Sequence, residues 1–342
     1  GARTAAGCEP PVVDAPHGAF PHVLTAHPRE TRMLDDAHVL VTGGAGLVGS
    51  HLTARLLADG ATVRVADDCS KGDPARVPDD ATFHEVDVRD PAAVAEVLTE
   101  EVDVVFHLAA YTDTNYEHDR ELFEANTAMT HTVLERARAV DVDGIAFTSS
   151  STVYGEAPRP TPEDHAPLEP ISIYGSSKLA DEALCSTYAH SYGVQSWVFR
   201  FANIVGPGQR GNVIPDFIEK LAADPTELEI LGDGRQEKSY MHVTDCVDAM
   251  CHVVEHATDP LNVYNLGTRT TTSVTDIADI VSEEVGVDPA YTYTGGDRGW
   301  TGDVPKMRLS IEKLAALGWE QSTESDAAVR RSARQLVEEI VG

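Results

Sequence analysis

Short apolar runs alternate with amphipathic stretches along the first two thirds of the chain. The apolar runs predict buried strands at residues 39–41, 62–66, 82–86, 102–108, 144–149 and 195–201. Apolar positions at helical spacing predict helices at 50–57, 92–98, 122–140 and 174–192, and a last helix at 326–341. Strands that alternate with helices form right-handed βαβ units, so the pattern predicts a parallel α/β sheet with helices on its faces.

Both ends of the chain depart from this rhythm. Residues 1–32 are rich in proline and show no period, which predicts a disordered extension. After Gly206 glycine, proline and short mixed elements dominate. We therefore expect a main domain at 33–205, to which the chain returns at about 240–265, and a smaller α/β lobe formed mainly by 206–342.

The charge balance excludes several classes of partner. The chain has 26 basic and 56 acidic residues, a formal net charge of −30. Such a surface repels nucleic acids and anionic membranes, and it favours the hypothesis of adaptation to high salt, where screening removes the self-repulsion. No apolar run is long enough to cross a bilayer, and no secretory leader is expected. The odd number of cysteines, five, fits a reduced, cytoplasmic setting.

A glycine-rich turn follows the first predicted strand and opens the first predicted helix. In the sequence TGGAGLVG, at residues 42–49, Gly43, Gly46 and Gly49 allow a tight turn and close approach of the backbone to a pyrophosphate. Leu47 and Val48 then begin the helix, whose free N–H groups favour an anion. This strand–turn–helix context predicts a dinucleotide site.

Acidic residues end the next two strands. Asp67 lies eighteen residues beyond Gly49, where a carboxylate accepts hydrogen bonds from ribose hydroxyls and repels a 2′-phosphate, so NAD is favoured over NADP. Asp87 and Val88 follow the third strand and are candidates for the adenine pocket, although Asp87 is equally suited to cap a loop.

Tyr174 and Lys178 lie four residues apart on one face of a predicted helix. A nearby ammonium and a cationic nicotinamide ring favour the phenolate, which makes the tyrosine a usable base. The serine-rich stretch at 148–155 ends the preceding strand, where ligands bind in parallel sheets. A hydroxyl there can hydrogen-bond the reacting oxygen beside the tyrosine.

Together, the glycine turn, Asp67, the serine-rich strand end and the Tyr174–Lys178 pair resemble the extended short-chain dehydrogenase/reductases, and among them the nucleotide-sugar epimerase/dehydratase family. The resemblance runs from about residue 37 to the last helix. It implies a Rossmann-type doubly wound parallel sheet with a smaller C-terminal α/β substrate lobe, bound NAD, and a homodimer formed through the helices at 122–140 and 174–192.

The resemblance also implies roles for residues of the main domain. Tyr174 is the expected base, Lys178 is expected to hold the nicotinamide ribose, and Ser150 takes the place of the catalytic hydroxyl. Thr152 is a neighbour expected to touch the sugar. The residues expected near the cofactor are Asn126, Leu108, Ala109 and Ala110.

Further matches lie at the end of the main domain and in the C-terminal lobe. Asn203, Asn212 and Val213 correspond to positions that bind the diphosphate or cover the base, and Asp303 to one that contacts the nucleoside ribose. Lys238 stands where the family usually has an arginine that clamps the diphosphate. A lysine keeps the charge but lacks the two parallel N–H donors of a guanidinium, so Arg235 is a candidate to take over this contact. Arg298 precedes Asp303 by five residues and is a candidate second clamp.

The neighbours of Ser150 narrow the reaction type. Dehydratases of the family carry an Asp–Glu pair that acts as the acid and base of dehydration. This chain has Ser151 and Thr152 at those positions, and their hydroxyls cannot take over that role. The expected function is therefore an isomerase that interconverts UDP-glucose and UDP-galactose by transient oxidation at C4. The alternatives are an epimerase or dehydrogenase for UDP-uronate or UDP-N-acetylhexosamine, and a non-catalytic NAD-binding regulator. No metal site is expected.

Overall fold

A computed structural model describes residues 33–112, 119–298 and 304–342; the extension predicted at 1–32 lies outside them. The strands in this part of the chain are β1 His38–Thr42, β2 Thr62–Asp67, β3 Thr82–Glu85, β4 Val104–His107, β5 Gly144–Ser150, β6 Gln195–Phe201, β7 Asn203–Val205, β8 Glu227–Ile230, β9 Glu237–Lys238, β10 Tyr240–His242, β11 Leu261–Leu266, β12 Thr272–Ser273, β13 Ala290–Tyr293 and β14 Lys306–Met307. The helices are α1 Leu47–Ala58, α2 Pro91–Val97, α3 Asp119–Ala139, α4 Ile173–Tyr192, α5 Val213–Ala223, α6 Val243–His256, α7 Val274–Val285, α8 Glu312–Ala316 and α9 Ser325–Ile340.

Seven strands form one parallel sheet in the order β11–β6–β5–β4–β1–β2–β3. The chain winds from β1 outwards to β3, and then returns to the other side of β1 and winds outwards to β11. The direction reverses between β1 and β4, and a crevice opens outside the carboxyl ends of strands at such a point. The sheet confirms the predicted doubly wound fold.

Helices cover both faces of the sheet because its strands are apolar on both faces. In β1, Val39 and Val41 pack in one core cluster with Leu52 of α1 and with α6. Leu40 points to the opposite face and packs in a second cluster with Leu134 of α3 and with α4. The alternation of side chains along a strand thus divides one apolar run between two cores.

The ends of α4 show why this segment becomes a helix. The hydroxyl oxygen of Ser172 accepts a hydrogen bond from the N–H of Gly175 and caps the first turn. Gly193 adopts a left-handed conformation and ends the helix. These caps place Tyr174 in the first helical turn, beside the carboxyl end of the sheet.

The C-terminal lobe contains α5, α7 and α9, which pack around a third cluster that includes Phe217, Ile277 and Leu336. Of the helices after Gly206, only the last was predicted from the sequence. In α7, Ser273 and Asp276 form a reciprocal capping box, a local signal that could have revealed the helix. The chain re-enters the main sheet through α6 and β11, while the exact domain boundaries stay predictions.

Candidate active site

A cleft of about 590 Å³ lies at the carboxyl ends of β1, β2, β4 and β5. It brings together most of the residues that the sequence predicted for the cofactor and the catalytic pair. Those lining it are Gly43, Gly46, Leu47, Val48, Gly49, Asp67, Asp87, Val88, Leu108, Ala109, Ala110, Tyr174 and Lys178.

The glycine turn is too tightly packed to hold side chains at two positions. Gly43 has a φ of +70°, and a Cβ there would lie 2.6 Å from the backbone nitrogen of Ala109. A Cβ at Gly49 would overlap the carbonyl oxygen of Gly43. The backbone therefore opens directly into the cleft at the start of α1, as a dinucleotide pyrophosphate requires.

Asp67 is held in place by the backbone around it. Its Oδ2 accepts from the N–H of Ala45 at 3.0 Å, and its Oδ1 accepts from the N–H of Cys69 at 2.9 Å. Burial raises the pKa of this carboxyl, and the two N–H donors partly offset the rise. The position at the end of β2 suits a ribose.

Asp87 has two features, since it lines the cleft and also organises its own loop. Its Oδ1 accepts from the N–H of Arg89 at 2.8 Å, and its Oδ2 pairs with the Arg89 guanidinium at 2.6 Å. The hydrogen bond from that guanidinium lowers the pKa of Asp87. Both interpretations of this residue from the sequence are compatible with the structure.

Tyr174 lies over the end of β5. Its phenol hydrogen-bonds with the hydroxyl of Ser150, which is the last residue of β5. Burial raises the pKa of Tyr174 to about 12, the charge of Asp181 adds to the rise, and the Ser150 hydrogen bond opposes it. The phenol is therefore protonated at neutral pH unless positive charge is brought close to it.

Lys178 is buried one helical turn below Tyr174, with 2% of its surface exposed. Its Nζ donates to the carbonyl of Thr148 at 2.9 Å and lies 4.8 Å from the centre of the Phe147 ring and 5.9 Å from that of Tyr174. Burial lowers the pKa of Lys178, and the carboxylates of Asp181 and Glu182 work against that change.

A buried ion pair supports the strand end behind the catalytic group, and sequence reasoning missed it. Arg200 of β6 donates to Glu182 of α4 at 2.7 Å and to the hydroxyl of Tyr154 at 2.8 Å. The same carboxylate accepts a short hydrogen bond from Ser149, the neighbour of Ser150. Glu182 follows Lys178 by four residues, and this helical spacing was the available signal.

Two predicted neighbours of the site differ in their surroundings. Asn126 does not line the cleft; its side chain binds the backbone of Tyr111 through both polar atoms and donates to Ser177 at 3.1 Å. It therefore joins α3, α4 and the loop after β4. Thr152 has a buried Oγ1 with no hydrogen-bond partner among the described residues.

The predicted substrate residues are more dispersed. Arg235 and Arg298 line a second cavity of about 440 Å³, where Arg298 forms an ion pair with Glu156. Asn203 lies in β7, Lys238 in β9, Asn212 just before α5 and Val213 at its start, and none of these four lines either cavity. Asp303 lies outside the described residues.

A pair of histidines with metal-ligand spacing was overlooked in the sequence. His252 and His256 flank Glu255 on α6, an arrangement also found in zinc enzymes. Here the two rings stack at 4.1 Å, and Glu255 accepts from the N–H groups of Met33 and Leu34. Among the described residues no group of three side chains is placed to hold a metal ion.

The sequence profile of the NAD dependent epimerase/dehydratase family matches residues 39–267. The chain belongs to this family. A UDP-glucose 4-epimerase of Mycolicibacterium smegmatis is 32% identical over 295 residues, which cover 82% of this chain and 92% of that protein.

Two crystal structures of family members resemble the whole fold. A UDP-galactose 4-epimerase superposes with a TM-score of 0.81 at 39% identity, covering 89% of this chain and 99% of the other. A UDP-glucose 4-epimerase from Thermotoga maritima, solved with UDP-glucose, superposes with a TM-score of 0.82 at 29% identity over 89% and 99% of the two chains.

Family membership confirms three predictions. The fold is the Rossmann-type sheet with a smaller lobe, the cofactor is NAD, and the chain is an epimerase-type enzyme, an isomerase. A further observation concerns the helices of residues 33–112, 119–298 and 304–342, of which none is long and apolar enough to span a membrane.

Proposed function

We propose that this enzyme interconverts UDP-glucose and UDP-galactose by transient oxidation at C4 of the hexose. One observation carries the proposal. Tyr174, Ser150 and Lys178 meet beside the glycine turn, and the residues next to Ser150 are hydroxyl-bearing Ser151 and Thr152. The carboxylates that line the cleft, Asp67, Asp68 and Asp87, lie at the ends of β2 and β3, away from the tyrosine.

In this proposal Tyr174 takes the proton of the sugar 4-hydroxyl and later returns it. Bound NAD⁺ would supply the acceptor and donor of the C4 hydride. Ser150 hydrogen-bonds the reacting oxygen, and Lys178 supplies positive charge from below the ring. Because burial and the charge of Asp181 raise the Tyr174 pKa to about 12, added positive charge in the loaded enzyme is what makes the phenolate accessible.

Epimerisation also needs a firm hold on the nucleotide and a loose hold on the hexose, so that the 4-keto sugar can present its other face. We assign the nucleotide and diphosphate to Asn203 and to the lobe residues Asn212, Val213, Arg235, Lys238, Arg298 and Asp303, with Thr152 near the hexose. Support comes from the separate cavity that Arg235 and Arg298 of the lobe line together with Glu156 of the main domain. Interactions that grip the unreactive part of a substrate leave the reacting carbon free to turn.

The test is conversion of UDP-galactose by purified protein without added NAD, followed by chromatography of the nucleotide sugars. We expect UDP-glucose to form, and Tyr174→Phe to lose activity by about 10²–10⁴-fold while still binding NAD. Tyr291→Phe, a tyrosine of the lobe, is the control and should retain activity. If the wild type converts no UDP-hexose, the assignment is overturned. If it converts only UDP-uronate or UDP-N-acetylhexosamine, that nucleotide sugar replaces UDP-glucose and UDP-galactose as the proposed substrate.

We further propose that the enzyme is a homodimer formed through α3 and α4. These helices pack side by side and expose Phe123, Ile173 and Tyr192, which are 36–49% exposed. Light scattering of the wild type in molar salt should give twice the mass of one chain. The Phe123→Glu variant should have the mass of a single chain. Leu231→Glu, at a more exposed apolar residue of the lobe, should leave the mass unchanged.

The net charge of −30 supports a proposal about the working environment. We propose a reduced, cytoplasmic setting of high salt, with Cys69, Cys185, Cys246 and Cys251 as free thiols. Screening of repulsion among the surface carboxylates should then raise the melting temperature between dilute buffer and molar KCl. Equal stability in both would contradict adaptation to salt.

A further inference from the structure

Asp181 is a buried carboxyl group that the proposed chemistry leaves without a role. It lies on α4 three residues after Lys178, with 1% of its surface exposed. Its Oδ1 has no hydrogen-bond partner among the described residues, while the hydroxyl of Thr130 on α3 hydrogen-bonds to the carboxylate. A carboxylate is rarely buried without an arginine or several donors, so its position needs a reason.

A chain of hydrogen bonds connects Asp181 to the cofactor cleft. Thr130 Oγ1 lies 3.2 Å from Nε2 of His107, and Nδ1 of His107 lies 2.7 Å from Oγ1 of Thr42. Thr42 ends β1, and its Oγ1 accepts from the N–H of Ala109 at 3.3 Å. Ala109 lines the cleft, so the chain reaches from the floor of the cofactor site to Asp181.

The direction of donation in this chain follows from its acceptor end. An ionised Asp181 can only accept, so Thr130 donates its hydroxyl proton and accepts from Nε2–H of His107. Burial, with a smaller effect of Lys178, lowers the pKa of His107 to about 3, so its ring is neutral and Nδ1 accepts from Thr42. Each donor in the chain therefore points towards Asp181.

The groups around Asp181 leave Lys178 as its counter-charge. On α4 these are Lys178, Glu182 and, one turn further, the Cys185 thiol. The other elements contribute neutral groups: the Thr130 hydroxyl from α3, the His107 ring from β4, and the Thr148 carbonyl from β5, which accepts from Lys178. Glu182 is itself occupied by Arg200.

We propose that Asp181 is a positioning residue that keeps Lys178 charged and sets the pH range in which Tyr174 acts. The inference rests on the proposed function of Tyr174 and Lys178. A negative charge stabilises the protonated forms of both neighbours, the ammonium of Lys178 and the phenol of Tyr174. The charge of Asp181 therefore keeps Lys178 protonated up to a higher pH, and it moves the ionisation of Tyr174 to a higher pH as well.

The two effects predict an unusual pH signature. Activity requires an ionised Tyr174, which defines the acid limb, and a charged Lys178, which defines the alkaline limb. Removing the charge with Asp181→Asn should move both limbs of the kcat profile to lower pH, each by about one unit, with the width of the profile kept. Thr130→Val, which removes the hydroxyl that stabilises the carboxylate, should move both limbs in the same direction by less.

Cys185→Ala is the matched control, because it alters a buried side chain on the same helix without a change of charge. It should lower stability and leave both limbs in place. If Asp181 has only a structural role, Asp181→Asn and Thr130→Val should behave like this control. A lower maximal kcat in these two variants, with both limbs at unchanged pH, would therefore overturn the proposal. If Asp181→Asn does not fold, Thr130→Val decides.

A second readout separates this inference from the proposed function. Burial raises the pKa of Asp181 to about 6, so the folded protein binds its proton more tightly than the unfolded chain does. The melting temperature of the wild type relative to Asp181→Asn should therefore fall as pH rises from 4 to 7. If no nucleotide sugar is turned over, this measurement alone decides. A difference that becomes constant by about pH 7 shows an ionised Asp181 at neutral pH and retains the charged role, whereas one that still falls above about pH 8 shows a protonated carboxyl and overturns it.

Discussion

The two sides of the proposed reaction centre are built differently. On the sheet side, Lys178 and the Glu182–Arg200 pair are nearly fully buried, and each has partners on regular elements. On the lobe side, Arg298 is more exposed, lies outside any helix or strand, and pairs with the surface residue Glu156.

This difference matches two requirements of the chemistry. Proton transfer needs groups held within fractions of an ångström by packing and hydrogen bonds. Recognition of a nucleotide requires side chains that can move onto the ligand when it binds. The contrast predicts that changes on the sheet side alter stability and ionisation, whereas changes on the lobe side alter the KM.

The largest effect should follow Arg200→Met, which leaves the buried carboxylate of Glu182 without its partner. We expect a loss of about 3–5 kcal/mol in the free energy of unfolding, measured by denaturant titration. Arg330→Met removes a more exposed pair on α9 and should cost much less. Similar losses in the two variants would remove the contrast between buried and exposed ion pairs.

The loss of folding stability at acidic pH should also arise from residues on the sheet side. The depressed pKa of His107, about 3, means that the folded protein binds fewer protons than the unfolded chain between pH 3 and 6.5. Stability is therefore lost as pH falls through this range, at up to about 1.4 kcal/mol per pH unit from this group. His107→Gln should flatten the acid side of a plot of unfolding free energy against pH. An unchanged slope would show that His107 is not the group responsible.

A smaller effect, on NAD affinity, is expected for Gly49→Ala, because the added Cβ would overlap the Gly43 carbonyl in the glycine turn. Overpacking of about 1–3 kcal/mol should weaken NAD binding by about ten- to a hundredfold, measured by calorimetry. Gly286→Ala, where the added Cβ has no atom within 4 Å, serves as the control and should bind NAD normally. Normal binding by Gly49→Ala would show that the turn can relax.

The smallest effects should be on the lobe side. Arg298→Ala should raise the KM for the nucleotide sugar by about tenfold, the value of one charged hydrogen bond, with little change in the melting temperature. Glu156→Ala removes the ion pair of Arg298 but not the arginine, so the KM should stay or fall by less than about threefold. A KM that is insensitive to Arg298→Ala would exclude this residue as a clamp.

Much of the sheet side was accessible from the sequence because its signals are local. The long helix that carries Tyr174 and Lys178 was predicted at 174–192 and lies at Ile173–Tyr192. The glycine turn and Asp67 were recognised from their places at strand ends. The helices α5 to α7 were missed although they carry local signals, such as the helical spacing of Ile214, Ile218 and Leu221 in α5. The glycines, prolines and short mixed stretches after Gly206 suggested an irregular region instead.

By itself the amino-acid sequence determined the parallel sheet, the dinucleotide site and the hydroxyl–tyrosine–lysine set, because strand runs, turn glycines and helical spacing act over a few residues. Only the tertiary structure decided which groups tune that set. Thr42, His107, Thr130 and Asp181 come from four different elements, and Glu182 meets Arg200 across the core. Their effect on ionisation arises from burial and long-range contact, neither of which is written in local sequence.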